Sequence, residues 1–155
     1  MEGMKVLLAI DGSPGSDDAI REVARRPWPA GTQIRVVTVD APLGEPTFGP
    51  GATTLTAYDE LVRRLRENAH ACLDAGAQML REAAPGLDVS SALLVGSPKE
   101  EIVAEARRWG ADLIAVGSQG RGAIKSLFLG SVSLGVVLNA PCSVLVVRAP
   151  ANPRA

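Results

Sequence analysis

Five short aliphatic runs constrain this chain most: residues 5–10, 34–39, 89–95, 113–116 and 144–147. The first is continuously apolar rather than alternating, as expected of a strand covered on both faces. The segments between the runs have helical spacing. Ala19, Ile20, Val23 and Ala24 fall on one face of a helix that Pro27 stops, with Ser13 as N-cap and Pro14 in its first turn. Leu61, Leu65, Ala69, Cys72, Gly76, Met79 and Leu80 recur at three- and four-residue steps and mark the inner stripe of a long helix. That helix begins near Thr56 and ends at Pro85-Gly86. Ile102, Val103, Ala106 and Trp109 form the inner face of the next, introduced by the capping box Ser97-Pro98-Lys99-Glu100. Residues 132–138 are the last. Strands alternating with helices predict an α/β domain, an open parallel sheet with helices on both faces.

Composition fits one such domain. The chain has 155 residues, of which 46% are hydrophobic and only 3% aromatic, so the core must be aliphatic. A net charge of −1 argues against a nucleic-acid footprint. No run reaches the ~18 apolar residues of a membrane span, and residues 4–8 read as a strand rather than a signal peptide. The expected location is the cytoplasm, with Cys72 and Cys142 as reduced thiols. Residues 1–149 read as one domain and 150–155, with Pro150 and Pro153, as a flexible tail. Residues 41–54 carry three prolines and three glycines and form a long loop.

The stretch from Gly117 to Ser131 carries the chemistry. It reads Gly117-Ser118-Gln119-Gly120, nine residues, then Gly130-Ser131, between the fourth strand and the last helix. Glycine at a strand end permits positive φ and close approach of a ligand. Gly130-Ser131 at a helix start offers free N–H groups and the positive end of a helix dipole, an anion site. Two such features on one loop suit a chain of phosphates. Neither a Gly-Lys-[Ser/Thr] loop nor a Gly-x-Gly-x-x-Gly loop is present.

This spacing, Gly-x2-Gly-x9-Gly-[Ser/Thr], resembles the nucleotide signature of the ATP-binding branch of the universal stress protein family. The resemblance extends to residues 6–13, 96–102 and 111–148. It implies a five-stranded sheet of order 3-2-1-4-5 and a site for ATP, or for ADP or AMP. Phosphates would rest on the N–H groups of Gly120, Ser131 and Val132, with the hydroxyls of Ser118, Ser131 and Ser133 beside them. Arg121 and Lys125 would fold over the phosphates. Asp11 would lie by the nucleotide and hold Mg²⁺ or Mn²⁺ directly or through water, unless it only makes an Asx turn. The backbone of Val39 would meet the adenine. A bulky residue at Gly120 is expected to block the phosphate while leaving the fold intact. The family also implies a homodimer through the last strand, whose apolar edge needs covering. Two departures stand out: Gln119 where histidine is common, and an unusually apolar helix around Gly135, which suggests deeper burial there.

No catalytic residue is proposed: His70 lies on the long helix away from the glycine loop, and no Ser/His/Asp or Cys/His arrangement exists. The expected role is regulatory or sensing in stress response, with an unknown protein partner. A slow ATP hydrolase and a nucleotide-free structural dimer are the alternatives.

Overall fold

The structure, a computed structural model, describes residues 2–44, 53–120 and 129–149. The elements run β1 (Lys5–Ala9), α1 (Pro14–Arg25), β2 (Gln33–Asp40), α2 (Thr53–Ala83), β3 (Asp88–Val95), α3 (Pro98–Trp109), β4 (Leu113–Gly117), α4 (Ser131–Asn139) and β5 (Ser143–Val147). The five strands form one parallel sheet in the order β3-β2-β1-β4-β5. Expected tail residues 150–155 lie outside the described residues.

The strand runs are continuous because each face of the sheet has its own core. Val6, Leu8, Ile34 and Val36 point to α1 and α2, where they meet Ile20, Val23, Leu73 and Leu80. Leu7, Val37, Ile114 and Val116 point the other way, toward Ile102 and Ala106 of α3 and Val136 of α4. Chain order reverses between β1 and β4, so the segments leaving their carboxyl ends pass to α1 and α4 on opposite faces of the sheet and leave a crevice.

α2 is 31 residues long. At ~1.5 Å per residue it spans about 46 Å, whereas an eight-residue strand spans about 27 Å. Its C-terminal half lies on the sheet, with Leu73, Ala77 and Leu80 buried. Its N-terminal half overhangs the carboxyl edge. This corrects the expected stripe: Leu61 is 46% exposed because the sheet does not reach it.

Two local readings also change. Ser97 is the N-cap residue of α3, but its side chain makes no capping bond, so the capping box does not form. Glu101 rather than Glu100 folds back, packing against Gly96, whose φ is 143°. The second concerns α4. Only Ser133, Gly135 and Val136 are buried, while Leu134, Val137 and Leu138 are 45%, 41% and 72% exposed. The deeper burial expected of this helix is confined to one stripe. Gly135 belongs there because the stem of Lys99 packs on it, with room for no Cβ: one would come within 2.7 Å of Lys99 Cδ.

Candidate functional site: a crevice at the carboxyl ends of β1, β2 and β4

A crevice of about 500 Å³ opens at the switch point, within the usual range for small-molecule sites. Asp11, Val39, Gly117, Gly120, Gly130, Ser131, Val132 and Ser133 all line it. The structure does not bring Ser118 into the lining. Its N–H donates to Val147 O at 2.7 Å and its carbonyl accepts from Gly130 N at 2.8 Å, so its backbone closes the loop. Arg121 and Lys125 lie outside the described residues.

Asp11 follows β1 at a sharp turn, where Gly12 has a φ of 78°. Its Oδ1 accepts from Ser13 N at 3.0 Å and from Ser16 Oγ at 2.7 Å. Ser16 Oγ also accepts from Asp11 N at 2.8 Å. The Asx turn weighed against a ligand role is therefore present, and it engages Oδ1. Oδ2 faces Gly120: a Cβ there would come within 2.7 Å of it. Gly120 thus has a carboxylate, not empty space, beside its Cα. A side chain there must displace Asp11 Oδ2 as well as fill the crevice.

The motif glycines do not serve the turn geometry expected of them. Among described residues, positive φ occurs at Gly12, Gly31, Gly96 and Gly110, and not at Gly117, Gly120 or Gly130. They serve close approach. A Cβ on Gly117 would meet Gly15 O at 2.7 Å, and one on Gly15 would meet Gln119 O at 2.5 Å, so the backbones of α1 and the β4 loop touch. Gly130 is different. Its φ of −61° suits any residue, and a Cβ would find only ordinary contacts of 3.5–3.6 Å. Among the described residues nothing in the packing requires glycine there.

Gly130 is the N-cap of α4, which has no acidic residue in its first turn. The first intrahelical bond runs from Leu134 N to Gly130 O. The N–H groups of Ser131, Val132 and Ser133 therefore stand at a helix end, at the positive pole of its dipole. Ser133 Oγ donates to Gly117 O at 2.6 Å, which ties α4 to the end of β4. The only charged residues among the described lining are Asp11 and Asp40. Among the described residues, an anion here meets the helix N-terminus or a cation that it brings along.

The opposite wall was not anticipated. Leu65, Asn68, Ala69 and Cys72, where α2 passes from its overhang onto the sheet, line the crevice together with Thr38 and Asp40 of β2. Asp40 is 9% exposed, and its Oδ2 accepts from Arg66 Nε at 3.1 Å. An acid ending a Val-rich strand beside the first strand was the available signal. Among the described residues Cys72 and Cys142 form no disulfide with each other. Among the described residues no three His, Cys, Asp or Glu side chains cluster as a metal site, and no helix is long and apolar enough to cross a membrane.

The sequence profile of the Universal stress protein family matches residues 4–148. The chain belongs to this family. A universal stress protein of Thermus aquaticus is 37% identical over 147 residues, covering 92% of this chain and 97% of that protein. Another universal stress protein, from Methanocaldococcus jannaschii, is 31% identical over 94% of this chain and 82% of its own length. The solved structure of hypothetical protein MJ0577 superposes with a TM-score of 0.78 at 27% identity, covering 96% of this chain and 98% of that one. More distant universal stress protein structures share the fold. One from Archaeoglobus fulgidus is in complex with dAMP (22% identical, TM-score 0.60, 95% and 99% covered). One from Arabidopsis thaliana has AMP bound (18% identical, TM-score 0.67, 96% and 93% covered). The expected sheet order and family are those observed.

Proposed function

We propose that this universal stress protein binds ATP in the crevice and acts as a cytoplasmic regulatory or sensing module. The observation that carries this reading is the pairing of a 500 Å³ crevice with the N-terminus of α4 at its wall. Phosphates would sit on the N–H groups of Gly120, Ser131 and Val132, with the nucleoside running across β1 toward β2. The dAMP- and AMP-bound relatives support an adenine nucleotide as the ligand.

Mg²⁺ or Mn²⁺ fits this donor set in one way only. Mg²⁺ commonly takes one or two carboxylates and completes its shell with phosphate oxygens and water. Asp11 supplies one carboxylate, and no described cation lines the crevice to neutralise the phosphates. The ion would offset phosphate charge when bound. This chain's residues would orient the phosphates and keep Asp11 in place through Ser13 and Ser16. With no positioned general base among the described lining residues, the reading is binding rather than turnover.

Calorimetry with ATP, with and without Mg²⁺, tests this. Heat that grows with the metal is expected; no heat in either case on folded protein refutes the reading.

A homodimer through β5 is the second part of the proposal. β5 is an edge strand, and Val144, Leu145 and Val146 are only half-buried. The exposed Leu134, Val137 and Leu138 of α4 extend the same apolar region. A second copy related by a two-fold axis would pair the edge and cover both.

A further inference from the structure

We propose that Asp40 selects the base. Its carboxylate accepts a hydrogen bond from the exocyclic amine of adenine and disfavours a base that carries an oxygen at that position. The inference rests on the nucleotide reading above and extends it to a residue that the glycine motif does not include.

The position follows from the sheet. Neighbouring strands lie ~4.8 Å apart, so the end of β2 stands about 10 Å from the end of β4, across β1. With phosphates at the β4–α4 end and the sugar over β1, the base falls over the end of β2. There the walls are mostly apolar. Val39, Leu65 and Ala69 make a slot suited to a flat ring, and Asp40 is the one carboxylate among the described residues at that end.

Asp40 is held in place. Its carbonyl accepts from Gly96 N at 3.1 Å, and Arg66 anchors Oδ2. Among the described residues Arg66 is its only side-chain hydrogen-bond partner. A carboxylate has about four acceptor positions on two oxygens and no donor when ionised. What remains on Asp40 can therefore welcome an N–H and cannot satisfy another acceptor. A 6-amino group meets that requirement. Opposite the 6-position, the oxo group of guanine or hypoxanthine sets lone pairs against a buried carboxylate, so those bases must shift to offer their N1–H instead and lose the placement that adenine keeps. Thr38 and Cys72, whose Oγ1 and Sγ lie 3.8 Å apart, engage each other beneath this end.

The test is equilibrium binding of ATP, GTP and ITP, each with Mg²⁺, to the wild type, Asp40→Asn and Arg66→Ala. Wild type should bind ATP at least about tenfold more tightly than GTP or ITP, the weight of one hydrogen bond to a charged group. Asp40→Asn, whose amide can turn either a donor or an acceptor to the base, should shrink that preference to about threefold or less. Arg66→Ala removes the ion pair but keeps the carboxylate, so it should retain the preference even where stability falls. Equal wild-type affinity for the three nucleotides overturns the proposal. So does a preference that survives Asp40→Asn. Equal weakening of all three by Asp40→Asn puts the carboxylate on the ribose, and overturns the base assignment. Wild-type protein that binds none of them refutes the nucleotide reading itself, a result distinct from the others.

Discussion

Gly130→Ala separates the ligand's space from the fold's. The φ of −61° and ψ of 159° at Gly130 suit alanine, and among the described residues the nearest atoms to the added methyl would be Gln119 Cα, Ser118 O and Gly120 N at 3.5–3.6 Å. Restricting the unfolded chain contributes about 0.4–1 kcal/mol of stability. Replacing glycine by alanine at an N-cap costs a similar amount. The two offset, so stability should change by less than about 1 kcal/mol, or roughly 4 °C in melting temperature for a domain of this size. Binding should not be spared. The methyl would stand 3.6 Å from the Gly120 nitrogen, close to where an oxygen accepting from that N–H must come, at about 2.9 Å. A lost hydrogen bond to a charged acceptor is worth about 1.5–3 kcal/mol, or roughly 10- to 150-fold in affinity. Denaturant unfolding and ATP calorimetry on the same preparation measure both. Wild-type affinity would refute the placement of phosphate on this loop. A stability loss above about 2 kcal/mol would refute the claim that the protein itself leaves room there.

Gly117→Ala should behave oppositely: its Cβ would lie 2.7 Å from the Gly15 carbonyl oxygen, and forcing those backbones apart should cost about 1–3 kcal/mol in denaturant unfolding, ligand or not. A change below about 0.5 kcal/mol would show that α1 and the β4 loop are not in rigid contact. The acid limb of stability should depend on Glu105. Burial opposes its ionisation, yet hydrogen bonds from Arg108 and Arg35 outweigh this and hold its carboxyl below the usual value of 4.5. The native state then binds fewer protons than the unfolded one, so this stability is complete above about pH 4.5 and is lost as pH falls through the folded value. Glu105→Gln should destabilise by about 1–3 kcal/mol at neutral pH and flatten the profile below pH 4.5; a variant with the wild-type acid limb refutes this. Light scattering should give a dimeric wild type and a folded monomer for Val146→Pro, which removes a backbone donor from β5; a monomeric wild type at micromolar concentration ends the dimer proposal.

The strands were legible because a parallel sheet buried on both faces leaves continuous aliphatic runs, and the helices because each buries one stripe. The strand order was not readable from the residues and came with the family resemblance. Leu134, Val137 and Leu138 misled because apolar composition reports a surface to be covered, not what covers it. Positive φ, one of the two reasons given for the glycines, does not hold for Gly117, Gly120 or Gly130. Spacing identifies Gly117 and Gly120, but their neighbours, Gly15 and Asp11, meet them only in the fold. The α2 wall was invisible because Leu65, Ala69 and Cys72 have the same periodicity as a core stripe, and no sequence pattern states where a sheet stops beneath a helix.

The overhang of α2 gives one helix two different lifetimes. The half that carries Leu73, Ala77 and Leu80 shares the fate of the core and should release its amide protons only with global unfolding. The half that carries Leu61 and Leu65 has little sheet beneath it, and the ion pair of Arg66 with Asp40 is a main tie to β2. Its amides should exchange through partial opening, well before the rest. A ligand seated against Leu65 and Ala69 would slow exchange along the first half of α2 far more than along the second. The protection pattern of a single helix would then report occupancy of the crevice.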